Sequence, residues 1–515
     1  MPNPSDKSNP KSNPKAKPVP SPKGTRDLYP DDLLRQRYIT EAWRRVSIRH
    51  GFEEIAGPTF EMRELYTRKS GEGIVSELFS FRREGGDDDY ALRPEFTPTL
   101  ARMYAAKAAS LPSPTKWFTA GPYFRAERPQ RGRLREFLQW NCDVMGGDPS
   151  SGDTEVASCL LSLCSDLGLD YLDVGIALND RAVAGAIVDE ACGDPSCVED
   201  AITLLDKRGK IPDDRFEQLA SEALFATDIF DRLAKKLGTV FNIDRDHGPR
   251  LGPHEMYGHP INVDQLQVET SGHRSYIGAA LQADNLRSTC STLSRSGYAE
   301  FCGVDFSVVR GLAYYTGTVF ELIADGERAV AGGGRYDNLI ELFGGPPTPA
   351  VGFGMGDVVL GLLLEDKNLM PEGAELREAL SQPPASLRPE AFVIADEAQS
   401  EFVEPLLADL RRGIEAEGHD AGKPWSRDRY DIRPLHARRS YKPKRKKQVQ
   451  DASNQAALFT VTIDEPDKVS LKSMDTRQDL TPVDVPGLPD DIADFSVDPA
   501  SPVYVGRAIS SLLGG

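Results

Sequence analysis

The residues whose types and spacing best suit chemistry lie in Phe124–Gly146, FRAERPQRGRLREFLQWNCDVMG. Each half reads as a strand, and Arg128–Arg133 between them is a turn of Pro, Gly and cations. Strand alternation sets Arg125 and Glu127 on one face, and Phe137, Gln139 and Asn141 on one face of the return strand. A guanidinium, a carboxylate and a flat aromatic side by side can hold a phosphate, an amine and a nucleobase. Arginine suits the phosphate because its planar fork makes charge-assisted, two-pronged contacts. The alternative for the same residues is an exposed hairpin with solvated charges.

Three other stretches carry similar potential. In LRPEFTP, Glu95 and Thr97 share one face of an extended segment and can receive an ammonium group. Thr97 or Thr99 can also cap the helix expected over TLARMYAAKAA. In FSVVRGLAYYTGTVFE (Phe306–Glu321), a strand leads into an Arg-Gly turn, then Tyr314 and Tyr315, then a second strand over Thr318–Ile323. Adjacent tyrosines are ordinarily core or sheet residues. The glycines of AGGGRYDNLIELFGG and PAVGFGMGDVVLGLLL allow backbone to approach a ligand and open a helix whose N-terminus favours anions.

These residues need a scaffold. The spacing of Leu33, Leu34, Tyr38, Ala42 and Val46 predicts a helix over Asp31–His50 stopped by Gly51, followed by a strand at Phe52–Ile55. A helix over EVASCLLSLCSDLGL should lead into a strand at DVGIALND. Residues 181 to about 237 read as helical and polar-faced, and 238–295 carries little recognisable pattern. After a Pro-rich hinge at Ser381–Pro389, EAFVIADE reads as a strand and EPLLADLRRGIEAEGH as a helix ended by Gly418. A helix running into a strand at KPKRKKQVQDASNQAALFTVTI and a strand at DKVSLKSM complete a small mixed sheet with helices on its faces. Met1–Pro22 lacks apolar periodicity and is expected to be a disordered tail, and the stretch after about Pro486 is an acidic extension.

At 515 residues two or three domains are expected. A formal net charge of -18 argues against a general nucleic-acid coating protein, yet leaves room for local basic patches. The densest is Arg438, Arg439, Lys442, Lys444, Arg445, Lys446 and Lys447, either a solvated face or a nucleic-acid backbone contact. Seven cysteines without a CxxC pair fit reduced thiols; Cys192 and Cys197 lack a second pair at zinc spacing. The histidines of HEMYGH are not at the spacing of a helical zinc site. No metal site is expected. No apolar run is long enough to span a bilayer and the N-terminus lacks a signal-peptide core, so a cytoplasmic location is expected.

FRAERP with its basic turn and REF resembles motif 2 of class II aminoacyl-tRNA synthetases, and RGLAYYTG resembles the signature of the histidyl family within that class. FEEIAGPTFEMRELYTRKSGE resembles motif 1, through which such enzymes pair as homodimers. The resemblance implies an α+β core, an antiparallel sheet with flanking helices, over 23–370. Within it motif 1 falls at about 51–66, motif 2 at about 118–146, the histidine signature at 306–321, motif 3 at 350–366 and a helical insertion at about 181–295. An anticodon-binding-like α/β domain would cover 386–485, with an extension over 486–515.

By the same resemblance Arg125 meets the ATP α-phosphate, Glu127 the adenine edge and Phe137 the adenine face. Arg310 reaches the substrate carboxylate and α-phosphate, while Glu95, Thr97 and Gln139 surround the ammonium. Asp143 takes the imidazole N–H, Tyr314 contacts the ring and Tyr315 serves the opposite nitrogen. Arg128, Arg131 and Arg133 are placed for the tRNA acceptor end, and Lys444, Arg445 and Lys446 for tRNA backbone. The implied activity is histidine–tRNA ligation, with L-histidine, ATP carrying Mg²⁺ and tRNA(His) as partners. One departure stands out. Motif 3 normally ends in an arginine over the adenine and γ-phosphate, and here Val359 and Leu360 occupy that place. This feature favours an alternative, a non-catalytic histidyl-synthetase-like regulatory subunit of ATP phosphoribosyltransferase.

Overall fold

The run of apolar residues at helical spacing forms α1 (Pro30–Arg49), with Pro30 at its first position, Asp31 and Asp32 in its first turn, and Gly51 at φ 74° just past its end. Its inward stripe, Tyr38, Ala42, Trp43 and Val46, is buried. The computed structural model describes residues 19–70, 72–185, 213–222, 274–305, 315–324, 329–381, 384–416, 429–465, 468–480 and 502–513, with 200, 201, 204, 308 and 424. The expectations for residues 1–18, Cys192, Cys197, HEMYGH, Arg310, Tyr314 and Gly418, and for much of the insertion, lie outside the described residues.

The expected Phe52 strand is only β1 (Glu53–Glu54). β2 (Phe60–Met62), α2 (Arg63–Ser70), β3 (Ser80–Arg82) and β4 (Asp89–Leu92) follow; β2, β4 and β3 form a small antiparallel sheet. α3 (Thr97–Ala105) corrects the capping expectation: Phe96 is its N-cap residue and no side chain caps it, while Thr99 Oγ1 donates to Glu61 Oε1 at 3.1 Å. The hairpin is β5 (Thr115–Phe124) and β6 (Glu136–Met145). α4 (Pro149–Asp166) begins earlier than its apolar pattern, because Asp148 accepts from Ser151 N and caps it. β7 (Val174–Asp180), α5 (Arg274–Leu293), β8 (Cys302–Val304), β9 (Thr318–Ala324), β10 (Ala331–Arg335), β11 (Ala350–Gly356) and α6 (Asp357–Asp366) also belong to the larger unit.

Its eight-stranded sheet runs β1-β5-β6-β11-β10-β9-β7-β8, antiparallel except at the two outer pairs, β1 with β5 and β7 with β8. Alternation divides its faces. Trp140, Cys142 and Val144 of β6, with Val351, Phe353 and Met355 of β11, point into a core closed by α1, α4, α5 and α6. Gln139, Asn141 and Asp143 point the other way.

The C-terminal unit has β12 (Ala391–Ala395), α7 (Val403–Arg412), β13 (Ile414–Glu415), β14 (Tyr430–Ile432), β15 (Ala437–Arg439), α8 (Arg445–Asn454), β16 (Phe459–Glu465), β17 (Lys468–Ser473), β18 (Asp479–Leu480) and α9 (Pro502–Leu512). Its five strands run β15-β12-β16-β17-β18. α7 and α9 cover one face, and α8 packs on the other through Ala452. α7 stops at Gly413, whose φ of 75° is the left-handed conformation that ends helices, and β13 follows at once. The helix expected to run to Gly418 is therefore short.

Two buried charge clusters join the units. Glu155 of α4 accepts from His50 Nδ1 at 3.1 Å and pairs with Lys116 at 3.0 Å and Arg411 of α7 at 3.0 Å. His50 Nε2 completes its bonding with Ser162 Oγ at 2.9 Å. Asp166 pairs with Arg45 and Arg49 of α1, each at 2.5 Å, and Arg429 Nη1 donates to the Asp166 carbonyl at 2.8 Å. The three cations around Asp166 hold its carboxyl well below the usual range, and burial among cations holds His50 neutral, at about 3.

Candidate active site

The uncovered face of the large sheet floors a cleft of about 880 Å³. Its space comes from spaced glycines. Along β11, Gly352, Gly354 and Gly356 stand opposite Asp143, Asn141 and Gln139 of β6. A Cβ at Gly352 would fall 1.9 Å from Asp143 Oδ1, and one at Gly354 would fall 2.8 Å from Gln139 Nε2. Any side chain there would displace these polar groups.

One end of the cleft has Glu95 and Thr97, where the segment after β4 enters α3. Both Glu95 oxygens accept from Lys69 Nζ of α2, at 2.6 and 2.5 Å. The floor is a polar row: Gln139 Nε2 donates to Asn141 Oδ1 at 2.9 Å, and Asn141 Nδ2 donates to Phe353 O at 3.2 Å. Deeper, Asp143 Oδ1 accepts from Tyr336 Oη at 2.6 Å. Burial without a paired cation raises the Asp143 carboxyl to about 7, against the lowering effect of the tyrosine bond. Asp143 thus changes charge near neutrality. Tyr315 lines the same region, its ring against Gly334, where a Cβ would meet Cδ1 at 2.9 Å.

Close to Glu95, Arg125 follows β5 directly. Its guanidinium lies 5.1 Å from the Phe137 ring centroid and its Nε donates to Pro94 O at 3.1 Å. The expectation that strand alternation aligns Arg125 with Glu127 is corrected: β5 ends at Phe124, so alternation no longer governs these residues. Arg125 and Phe137 line the cleft, whereas Glu127 stands aside and pairs with Arg133, itself a cleft residue. Of the other loop cations, Arg128 is exposed and Arg131 pairs with Asp366 at the end of α6, at 2.9 Å. At the C-terminal basic run, Lys444 and Lys446 are exposed, while Arg445 is held by Asp396 at 2.7 Å and Asp464 at 2.9 Å.

The motif 3 departure has a structural counterpart. Val358 and Val359 line the cleft and Leu360 is in the core, so the start of α6 brings no cation. Gly132 of the hairpin loop, at φ 74°, lies so near that a Cβ would come within 3.0 Å of Val359 Cγ2. The buried Asp357 beside it accepts from Arg26 at 2.7 Å, Gln36 at 3.1 Å and Leu138 N at 2.9 Å. Arg26 lies in GTRD (Gly24–Asp27), just before α1, and docks that segment onto α6. Among the described residues no group of three or more His, Cys, Asp or Glu is arranged to hold a metal ion.

The family described as histidyl-tRNA synthetase matches residues 24–356. A histidine–tRNA ligase from Halorubrum lacusprofundi is 38% identical over 355 residues, 68% of this chain and 75% of that protein. The chain belongs to the histidyl-tRNA synthetase family. Another family relative, a histidine–tRNA ligase from Opitutus terrae, is 37% identical over 357 residues, 68% of this chain and 75% of the relative. In fold, the crystal structure of histidyl-tRNA synthetase from Nostoc sp. PCC 7120 matches with a TM-score of 0.55 at 20% identity, covering 90% of this chain and 97% of that one.

For a histidyl-tRNA synthetase core, sequence reasoning located one wall of the cleft and missed Lys69 and Tyr336. Tyr336 was within reach, since alternation from Gly332 through Gly334 places it on the cleft face. Nothing in the spacing of RKSGE points Lys69 at Glu95.

Proposed function

We infer that the chain is a histidine–tRNA ligase. It activates L-histidine with ATP to histidyl-adenylate and passes the histidyl group to the 3′ end of tRNA(His). Supporting this reading is a single cleft that joins an acidic end suited to an ammonium, a buried carboxylate suited to an imidazole N–H, and an arginine stacked on an aromatic ring.

In the proposed reaction a carboxylate oxygen of histidine attacks the ATP α-phosphorus and pyrophosphate leaves. The terminal ribose hydroxyl of the tRNA then attacks the adenylate's carbonyl carbon and AMP leaves. Arg125 neutralises the α-phosphate oxygens as charge gathers there, and Phe137 stacks on the adenine. Glu95, Thr97 and Gln139 hold the ammonium, and Asp143, oriented by Tyr336, accepts from the imidazole. Tyr315 completes the pocket, and Arg310 and Tyr314 keep the roles their signature implies. A site that bonds both ring nitrogens rejects analogues because they leave its buried polar groups unpaired. With no cation from the start of α6, Arg133 is the residue we assign to the β- and γ-phosphates. Mg²⁺ arriving on ATP needs only one or two protein oxygens, and Glu321, which lines the cleft, fits that need; bound there, it would offset pyrophosphate charge.

Arg128, Arg131, Lys444 and Lys446 are the proposed tRNA contacts, with Arg445 assigned instead to holding α8. A homodimer through the motif 1 region is supported by an exposed aromatic patch: Phe60 is 50% and Phe81 44% exposed, and they meet edge to face at 5.8 Å. No helix among the described residues is long and apolar enough to cross a membrane, and the five described cysteines are free thiols, which suits a cytoplasmic enzyme.

The test is histidine-dependent ATP–pyrophosphate exchange on the purified chain without tRNA. Exchange with histidine and with no other amino acid is expected. Histidine binding without exchange would instead favour the regulatory-subunit reading that the bare α6 position suggests.

A further inference from the structure

Lys69 is the cleft's most unusual cation. Its side chain is 0% exposed, yet its ammonium contacts both oxygens of Glu95, a carboxylate that is itself 18% exposed and lines the cleft. The subsite assigned to a substrate amine therefore already contains an amine belonging to the protein. An ionised carboxylate has about four lone-pair positions, so a second ammonium can still bond to Glu95 from the cleft. It would then share one carboxylate with Lys69 while Arg125 adds a further positive charge nearby. Among the described residues Glu77 also faces this corner and senses Glu95, Arg125, Glu127 and Arg133; burial raises its carboxyl, and the like charge of Glu127 adds to the rise.

We propose that Lys69 stands in for the substrate ammonium on Glu95 in the empty cleft, and that histidine binding transfers the Lys69 proton to solvent. The balance is one ammonium in and one proton out: the substrate amine stays protonated on Glu95, and Lys69 remains as a neutral amine donating to the same carboxylate. Burial already lowers the affinity of Lys69 for its proton. The stand-in keeps Glu95 ionised and oriented before substrate arrives, so the carboxylate is never buried without a cation. Lys69 is in these terms a positioning residue. The inference rests on the reading of Glu95 as the ammonium site.

Calorimetry of L-histidine binding to the full chain tests this, in two buffers of different ionisation heat at about pH 8, where the free imidazole is neutral. The wild type is expected to release about one proton per histidine bound, and the deaminated analogue imidazole propionate to release none. K69M should bind histidine without proton release. K69R keeps the pairing with Glu95 but cannot surrender its proton, and should bind histidine at least about tenfold more weakly. Equal proton release by wild type and K69M overturns the proposal. So does K69R binding as tightly as wild type, which decides the matter if K69M does not fold. Absence of histidine binding by the wild type would instead count against the ligase reading itself.

Discussion

The cleft and the seam between the two units are both rich in charge, yet Asp143 of the cleft and the buried carboxylates of the seam are held in opposite ways. At the seam two buried carboxylates are matched: Glu155 has Lys116 and Arg411, and Asp166 has Arg45 and Arg49. In the cleft the partner of Asp143 among the described residues is a tyrosine hydroxyl, and its carboxyl is raised to about 7. The seam uses buried charge to fix where the second unit sits. The cleft keeps a buried carboxylate that no cation of the described residues pairs with, at some cost in stability.

The largest expected effect breaks the seam. Glu155→Gln leaves Lys116 and Arg411 buried without their carboxylate and should lower stability by about 3–5 kcal/mol, read by denaturant unfolding. Activity should survive wherever the fold does. Arg125→Ala sharpens the other side of the contrast: histidine-dependent exchange should fall by about 10²–10³, with unfolding nearly unchanged.

Asp143→Asn tests both regions together. It should lower histidine-dependent exchange and yet hold or raise stability at about pH 8, since an ionised buried carboxylate is removed. The pH response separates the regions further. His50 and His436 are held at about 3, so below an ordinary value of 6.5 the unfolded chain takes protons that the fold refuses, and stability falls as pH falls. Asp143 works the other way between about 7 and 3.8, because there the fold takes the proton. Removing Asp143 should therefore steepen the loss of stability between about pH 6.5 and 5 by about 1.4 kcal/mol per pH unit. An unchanged slope would mean that Asp143 is not the desolvated carboxylate described above.

The smallest effects belong to the surface. Phe60→Asp should convert a homodimer to a monomer by light scattering while leaving the monomer's unfolding within about 0.5 kcal/mol. Arg445→Ala should cost at most about 1 kcal/mol, as exposed pairs do, and change tRNA affinity less than Lys444→Ala.

Much of the class II architecture was legible because it is written in local periods. Period two in β5 and β6 marked Phe137, Gln139 and Asn141 as one face, and the 3.6-residue period of α1 marked its buried stripe. Element ends were less legible, since they depend on one side chain or one backbone angle: Asp148 extends α4, and Gly413 at φ 75° cuts α7 short. Arg125 and Glu127 were misaligned for the same reason, because the strand that would align them ends one residue earlier.

The sequence alone determined which residues face together within each segment, and through its motifs the family to which the chain belongs. Only tertiary structure decided which segments meet. Asp143 and Tyr336 are separated by 193 residues, Glu155 and Arg411 by 256, and a Cβ at Gly132 would meet Val359 Cγ2 at 3.0 Å. Spacing along a chain encodes the direction of a side chain, because backbone geometry repeats over two or 3.6 residues. It carries no record of what stands opposite. That is set by how sheet, helices and the second unit pack, and here the packing placed a lysine on Glu95 and a tyrosine on Asp143.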